Sequence, residues 1–264
     1  GMAIGTVQHE SHKQEVQAQL LQQLVSPDDT IDKKALVKEA ASFIVVNCKS
    51  LTECADLLEA VVREPMRVFT KELIESAVQS WDWMVCVCPR EIGTHLLRTL
   101  KEAWRDTITR HVGMFNDTYV AANPLSSCVG VAEQTMYASS VVPHRNIIRF
   151  LSRYIPIIDS SQDYERLEII RDIITMSLST NMTTEPITVG TRFILLLLGL
   201  QVILLCKQTL SHHCKLIELI QDMGLNWFEH SPEWYECSRL QAEHDITILV
   251  QFNQTLMSVM THIK

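Results

Sequence analysis

Glycine and proline are scarce in this chain, with eight of each among 264 residues. Long stretches therefore run without a turn signal, which argues against a sheet of short strands joined by tight turns. An excess of basic residues is missing too. The net charge is −8, whereas nucleic-acid-binding domains usually carry a basic face, so nucleic acid is excluded as the expected partner. Apolar runs of membrane-spanning length are also lacking. The one conspicuous run, Phe193 to Cys206, has 14 residues, contains Gln201 and is closed by Arg192 and Lys207. A helix of that length covers about 21 Å, short of the ~30 Å hydrocarbon core, so it reads as a central helix buried on every side and no transmembrane segment is expected. The N-terminus is polar (His9, Glu10, His12, Lys13, Glu15) and does not read as a signal peptide. Gly1-Met2 resembles a scar left by tag removal, and the natural protein is expected to be longer.

What is present is apolar content, 47% of the chain, enough for one continuous core or a short stack of helical layers. The eight cysteines do not read as a disulfide framework. Cys48, Cys54, Cys206 and Cys214 sit within apolar helical patterns, where a free thiol behaves as a small hydrophobe. A chain of this size needs no staples, so a reducing, cytoplasmic environment is expected.

Periodicity predicts helices almost throughout. The first, from about Gln14 to Val25, carries Val16, Leu20, Leu21 and Leu24. After Ser26-Pro27-Asp28-Asp29 comes a helix from about Ile31 to Cys48. Ser50-Leu51-Thr52-Glu53 has the form of a capping box that opens a third helix, interrupted at Pro65. Thr70 can cap a helix to about Val87, and Pro89 fits the first turn of a helix bearing Ile92, Leu96, Leu100, Trp104 and Ile108. From Gly113 to Val142 the periodicity fades into a long connection. Helices resume at Pro143, after Asp163, at about Val189 to Lys207, near Ser211 to Met223 and near Pro232 to Thr261. Nine or ten helices with short joints predict an all-α fold of stacked antiparallel hairpins, an α-solenoid of the HEAT or armadillo kind. Trp81 and Trp83 point about 200° apart on one helix, which suits a helix buried on two faces. The expected organisation is one continuous solenoid: 1–27 as tag remnant and first helix, 28–112 as hairpins, 113–142 as a connection, and 143–264 as hairpins around the buried helix.

Catalytic chemistry is thinly signalled. Asp28-Asp29-Thr30-Ile31-Asp32 matches the DDxxD with which all-helical isoprenoid synthases hold Mg²⁺ and diphosphate. It stands at a helix start, where acidic residues are expected for dipole reasons, and no second aspartate-rich motif completes a metal site. Cys86-Val87-Cys88 is too tightly spaced for a zinc half-site. Adjacent helical residues diverge, so His212-His213-Cys214 cannot converge on one ion, and His9-Glu10-Ser11-His12 lacks the i, i+4 histidines of a zincin. No phosphate-cradling glycine loop, nucleophile elbow or kinase catalytic motif is found, so no catalytic, cofactor or metal residue is assigned. Arg145, Arg149 and Arg153, four apart, form a candidate basic stripe for an acidic partner or lipid surface, the plainer alternative being a solvated face. The apolar faces of the first and last helices, the last through Phe252, Leu256 and Met257, are the expected ends of the stack and candidates for self-association.

One set of motifs resembles a known family. Pro65-Met66-Arg67-Val68-Phe69, Trp81-Asp82-Trp83 and Ala103-Trp104 are similar in order and spacing to a Pro-Leu-Arg-Met-Phe, a Trp-Glu-Trp and an Ala-Trp in the solenoid of type III alpha phosphatidylinositol 4-kinases. Pro143-His144, Ser177-Leu178-Ser179-Thr180-Asn181, Val189-Gly190-Thr191-Arg192-Phe193 and Leu198-Gly199-Leu200 continue the resemblance in order, roughly from Asp28 to the C-terminus. The chain departs from it in the Gly113 to Val142 connection. The resemblance implies a non-catalytic segment upstream of the helical and lipid-kinase domains. It also implies a parent at the plasma membrane that phosphorylates phosphatidylinositol at the 4-position. The implied partners are a second copy of the solenoid and tetratricopeptide-repeat and hyccin-like scaffold subunits. None of the family's catalytic residues has a counterpart here, so the chain is expected not to be an enzyme. A stand-alone helical adaptor is the alternative.

Overall fold

The computed structural model describes residues 2–28, 30–115, 142–158 and 163–179, together with Gly199, Val250, Gln254 and Met257. Among these residues there is no strand. Seven α-helices are present: α1 (Met2–Val25), α2 (Lys33–Asn47), α3 (Ala55–Val68), α4 (Lys71–Val87), α5 (Arg90–Thr109), α6 (Val142–Tyr154) and α7 (Tyr164–Leu178). Three 3-10 turns, Leu51–Glu53, Gly113–Phe115 and Ile155–Ile157, link or close them. The fold is all-α and solenoid-like, with fewer described helices than the nine or ten expected. The helices expected near 189–207, 211–223 and 232–261 lie outside the described residues, apart from single helical residues. Gly199 is one of these, and it is buried. The structure divides into two compact units, Gly1–Trp104 and Arg105–Lys264.

In the first unit α1 to α4 each meet their neighbour in sequence, and α1 with α3 and α2 with α4 also pack two places apart. α2 packs most extensively on α4, and α1 packs on both α2 and α3. Side chains fix the directions. Ser76 Oγ near the start of α4 donates to Lys34 O near the start of α2 at 3.1 Å, so these two helices run parallel. Along α3 and α5, His95 faces Glu59 at 3.5 Å and Arg63 pairs with Glu102 at 2.6 Å, so these run parallel as well. Lys13 of α1 reaches Glu53, just before α3, at 2.6 Å. The result is two layers, α1, α3 and α5 in one and α2 and α4 in the other, as stacked hairpins require. Their contact surfaces carry Leu36, Val37, Ile44, Leu57, Leu58, Ile74, Trp81, Leu96 and Trp104, all buried. Each large apolar side chain so enclosed contributes about 1.5–3 kcal/mol.

Four expectations change here. α1 begins at Met2 rather than near Gln14, because no proline precedes Ser26 to stop the polar segment from continuing the helix. Its apolar face is not an open end: Leu24 is fully buried, and Val16, Leu20 and Leu21 are half-buried. Pro65 does not interrupt α3. The helix runs on to Val68 and stops at Phe69, whose left-handed backbone (φ 55°, ψ 39°) turns the chain toward α4. Proline lacks an N–H, so the carbonyl four residues back, that of Val61, loses its helical donor. The indole Nε1–H of Trp81 donates to that oxygen at 3.3 Å, supplying from α4 what Pro65 cannot. Trp83, by contrast, is 43% exposed, so α4 does not bury both tryptophans. Its narrow solvent stripe runs through Glu72, Glu75, Gln79, Trp83, Cys86 and Val87.

The second unit is built around α6. Ile147, Ile148, Phe150, Leu151 and Tyr154 are buried along it, and Leu167, Ile170, Ile173 and Ile174 along α7. Phe150 and Tyr154 stack with ring centroids 6.1 Å apart. Arg166, at the start of α7, donates to the Tyr154 hydroxyl and faces Asp163 at 3.9 Å, tying α7 to the end of α6.

Candidate interaction surface

The sequence places a basic stripe on α6, and the structure divides it. Arg149 and Arg153 are exposed, but Arg145 is 5% exposed and takes no part in a solvated face. Positions four apart drift by about 40° around a helix, so Arg145 and Arg153 lie about 80° apart, enough to carry the first into the packed side. Phe252 and Leu256 lie outside the described residues. Near them, Val250 is 48% and Met257 63% exposed; both are helical, with the exposed Gln254 between them. Arg149 and Arg153 are thus exposed cations, and Val250 and Met257 exposed apolar residues.

The DDxxD carboxylates are engaged locally. Asp28 Oδ1 accepts from Thr30 N–H at 2.9 Å and Thr30 Oγ1 at 2.7 Å, which holds its carboxyl below the usual range. Asp32 Oδ1 accepts from Lys34 N–H at 3.0 Å and Ala35 N–H at 3.2 Å, the geometry of an N-cap on α2. Asp29 lies outside the described residues. Among the described residues no three His, Cys, Asp or Glu side chains converge as a metal ion would need. The Ser50 capping box is realised differently from the expected form: Ser50 Oγ donates to Glu53 Oε1 at 3.1 Å across a 3-10 turn, and α3 starts two residues after Glu53.

A depression of about 600 Å³ opens beside the α1–α2 and α3–α4 joints, lined by Lys33, Lys34, Arg67, Asp32 and Glu72 among others. Its cations are largely answered from within. Glu64, 8% exposed, accepts from Arg67 at 2.8 Å and from Lys33 at 3.5 Å.

His144 is fully buried with both ring nitrogens occupied. Met114 N–H donates to Nδ1 at 3.1 Å, so the proton sits on Nε2, which lies 3.0 Å from Thr107 Oγ1. The Phe115 ring meets the imidazole edge-on, with centroids 5.0 Å apart. Burial, and then the charge of Arg110, push the His144 pKa down to about 3. A neutral imidazole thus fastens α6 to the end of α5 and to the Gly113–Phe115 turn. It is a structural group, and the sequence offered only the Pro143-His144 motif to mark it.

The family model for the PI4-kinase N-terminal region matches residues 17–263. The chain belongs to this family. A PI4-kinase N-terminal region is what the motif order had suggested, and the physical role of several motif residues is now visible in Pro65 with Trp81 and in His144. The chain is 26% identical over 200 residues to phosphatidylinositol 4-kinase alpha 1 of Arabidopsis thaliana, an alignment covering 69% of this chain and 10% of that protein. It therefore spans about a tenth of the length of the curated relative it matches. No solved structure matches the chain. Among the described residues, no helix of this PI4-kinase N-terminal region is long and apolar enough to cross a membrane.

Proposed function

We propose that the chain is a non-catalytic scaffold segment of a phosphatidylinositol 4-kinase. In this reading it holds a second copy of itself and scaffold subunits of tetratricopeptide-repeat and hyccin-like type in fixed geometry. The parent then makes phosphatidylinositol 4-phosphate at the plasma membrane, with this segment on the cytoplasmic side. The observation that carries this reading is the family match across residues 17–263, laid over a two-layer helical stack in the first unit. Stacked hairpins present long, rigid surfaces, and rigidity lowers the ordering cost of holding partners. The residues assigned to contact are Arg149 and Arg153, which suit an acidic patch, and the exposed apolar Val250 and Met257, which suit self-association. The neighbouring Phe252 and Leu256 are assigned to the same association.

Co-expression with tetratricopeptide-repeat and hyccin-like subunits, followed by size-exclusion chromatography, tests the reading. A shared peak that Arg149→Glu/Arg153→Glu disperses is expected. Separate elution of all components at micromolar concentration contradicts it.

A further inference from the structure

α4 packs on α2 and α3 through one side, where Leu73, Ile74, Ala77, Trp81 and Met84 are buried. Its other side changes character along its length. Glu72, Glu75, Gln79, Trp83 and Cys86 are exposed, and at 100° per residue they fall within about 80° of one another. They form one stripe about 21 Å long. Its first half carries two carboxylates and no cation, and its second half is apolar. Val87, 56% exposed, continues the apolar half at the edge of the stripe. Val46 near the end of α2, 76% exposed, comes level with Val87, because Ser76 meets Lys34 and the two helices run parallel.

Among the described residues of the first unit, Trp83 is the one exposed Phe, Tyr or Trp. Trp81, two positions earlier, is fully buried and already supplies the indole that the packing of α4 uses. A solvated face accounts for Glu72, Glu75 and Gln79. It gives no reason for Trp83, Cys86 and Val87 to follow them on the same helix. Tryptophan is enriched among the residues that carry binding energy at protein interfaces.

We propose that this α4 stripe is a docking surface for a basic amphipathic helix of another protein. The charge pattern selects the occupant. Cations at one end of the incoming helix face Glu72 and Glu75. An apolar anchor about two turns further along meets Trp83, which stands eight positions after Glu75. An anionic membrane surface is disfavoured by the two carboxylates and by the net charge of −8. The same stripe of a second copy fits poorly. Laid parallel it sets carboxylate against carboxylate, and laid antiparallel it sets carboxylates against Trp83. The surface belongs to the first unit and has the opposite charge to Arg149 and Arg153, and it does not rest on the function proposed above.

Selection of a displayed library of randomised helical peptides on the folded 264-residue chain tests the proposal. The expected binders carry Arg or Lys one turn apart and an aliphatic or aromatic anchor about two turns on. Their affinity should fall about tenfold or more in Trp83→Ala. It should fall about threefold, with a weaker salt dependence, in Glu72→Gln/Glu75→Gln. The substituted residues are exposed, so both variants should keep the native circular dichroism and melting temperature. A selection that yields no binder, binders without basic residues, or binders that hold both variants as tightly as the native chain would overturn the proposal. Self-association abolished by Trp83→Ala would give the stripe to a second copy instead. Trp83-dependent co-sedimentation with phosphatidylserine vesicles would give it to a membrane.

Discussion

A buried histidine sets the residue scale. His144 has a folded pKa of about 3 against an ordinary 6.5, so the unfolded chain binds its proton first as pH falls. Its contribution is therefore complete above pH 6.5 and shrinks as pH drops from 6.5 toward 3. The slope approaches about 1.4 kcal/mol per pH unit, or about 2–3 kcal/mol lost by pH 4.5. Urea midpoints measured from pH 7.5 to 4.5 should fall more steeply for the native chain than for His144→Gln, and parallel curves would contradict the assignment. His144→Ala should cost about 2–4 kcal/mol at pH 7, because Met114 N–H and Thr107 Oγ1 lose their partner inside the core. Little of this was legible in the sequence. A histidine next to a proline at a helix start looks like a surface residue, and its partners come from 37 and 30 positions away. Arg145 was misplaced for a related reason: the four-residue repeat was read as a straight stripe, although it winds around the helix.

At the scale of the element, the Pro65–Trp81 pair explains why a helix can carry a proline and stay whole. Trp81→Phe should destabilise the chain by about 1–2 kcal/mol beyond any change in packing, since the Val61 carbonyl then has no donor. In a Pro65→Ala background the new backbone N–H can serve Val61, and the same substitution should cost less. A double-mutant cycle by urea denaturation is expected to return about 1 kcal/mol of coupling, and zero coupling would separate the two residues. Helix phase was largely legible, because Leu36, Val37, Ala40, Ala41 and Ile44 on α2, or Leu167, Ile170 and Ile174 on α7, follow the 3.6-residue period. Helix ends were legible where a local cap decides them, as Asp32 does for α2. They were not where another helix decides: Pro65 reads as a break until the indole from α4 is in view. Trp83 shows the same limit, since spacing gives its direction relative to Trp81 but not which neighbour, if any, stands there.

At the largest scale, the parallel pairing of α2 with α4 and of α3 with α5 is the feature of the first unit that suits the proposed scaffold role. No residue has been assigned to nucleotide binding, so isothermal titration with ATP is expected to show no saturable heat, and micromolar affinity would sink the scaffold reading. The solenoid-like class was legible from scarce glycine and proline and from helical periods with short joints. The proposed association surface was marked in the sequence only as a region: Met257 was among the residues expected at an exposed end, while the exposure of Val250 came from the structure alone. Association is the central claim, and an interface of ordinary size buries about 1,600 Å² and can hold at micromolar concentration. Sedimentation velocity over a hundredfold concentration range tests it most directly. The account predicts a reversible shift from monomer to dimer, weakened by Val250→Glu/Met257→Glu without loss of helicity. A chain that sediments as a strict monomer at every concentration would contradict it.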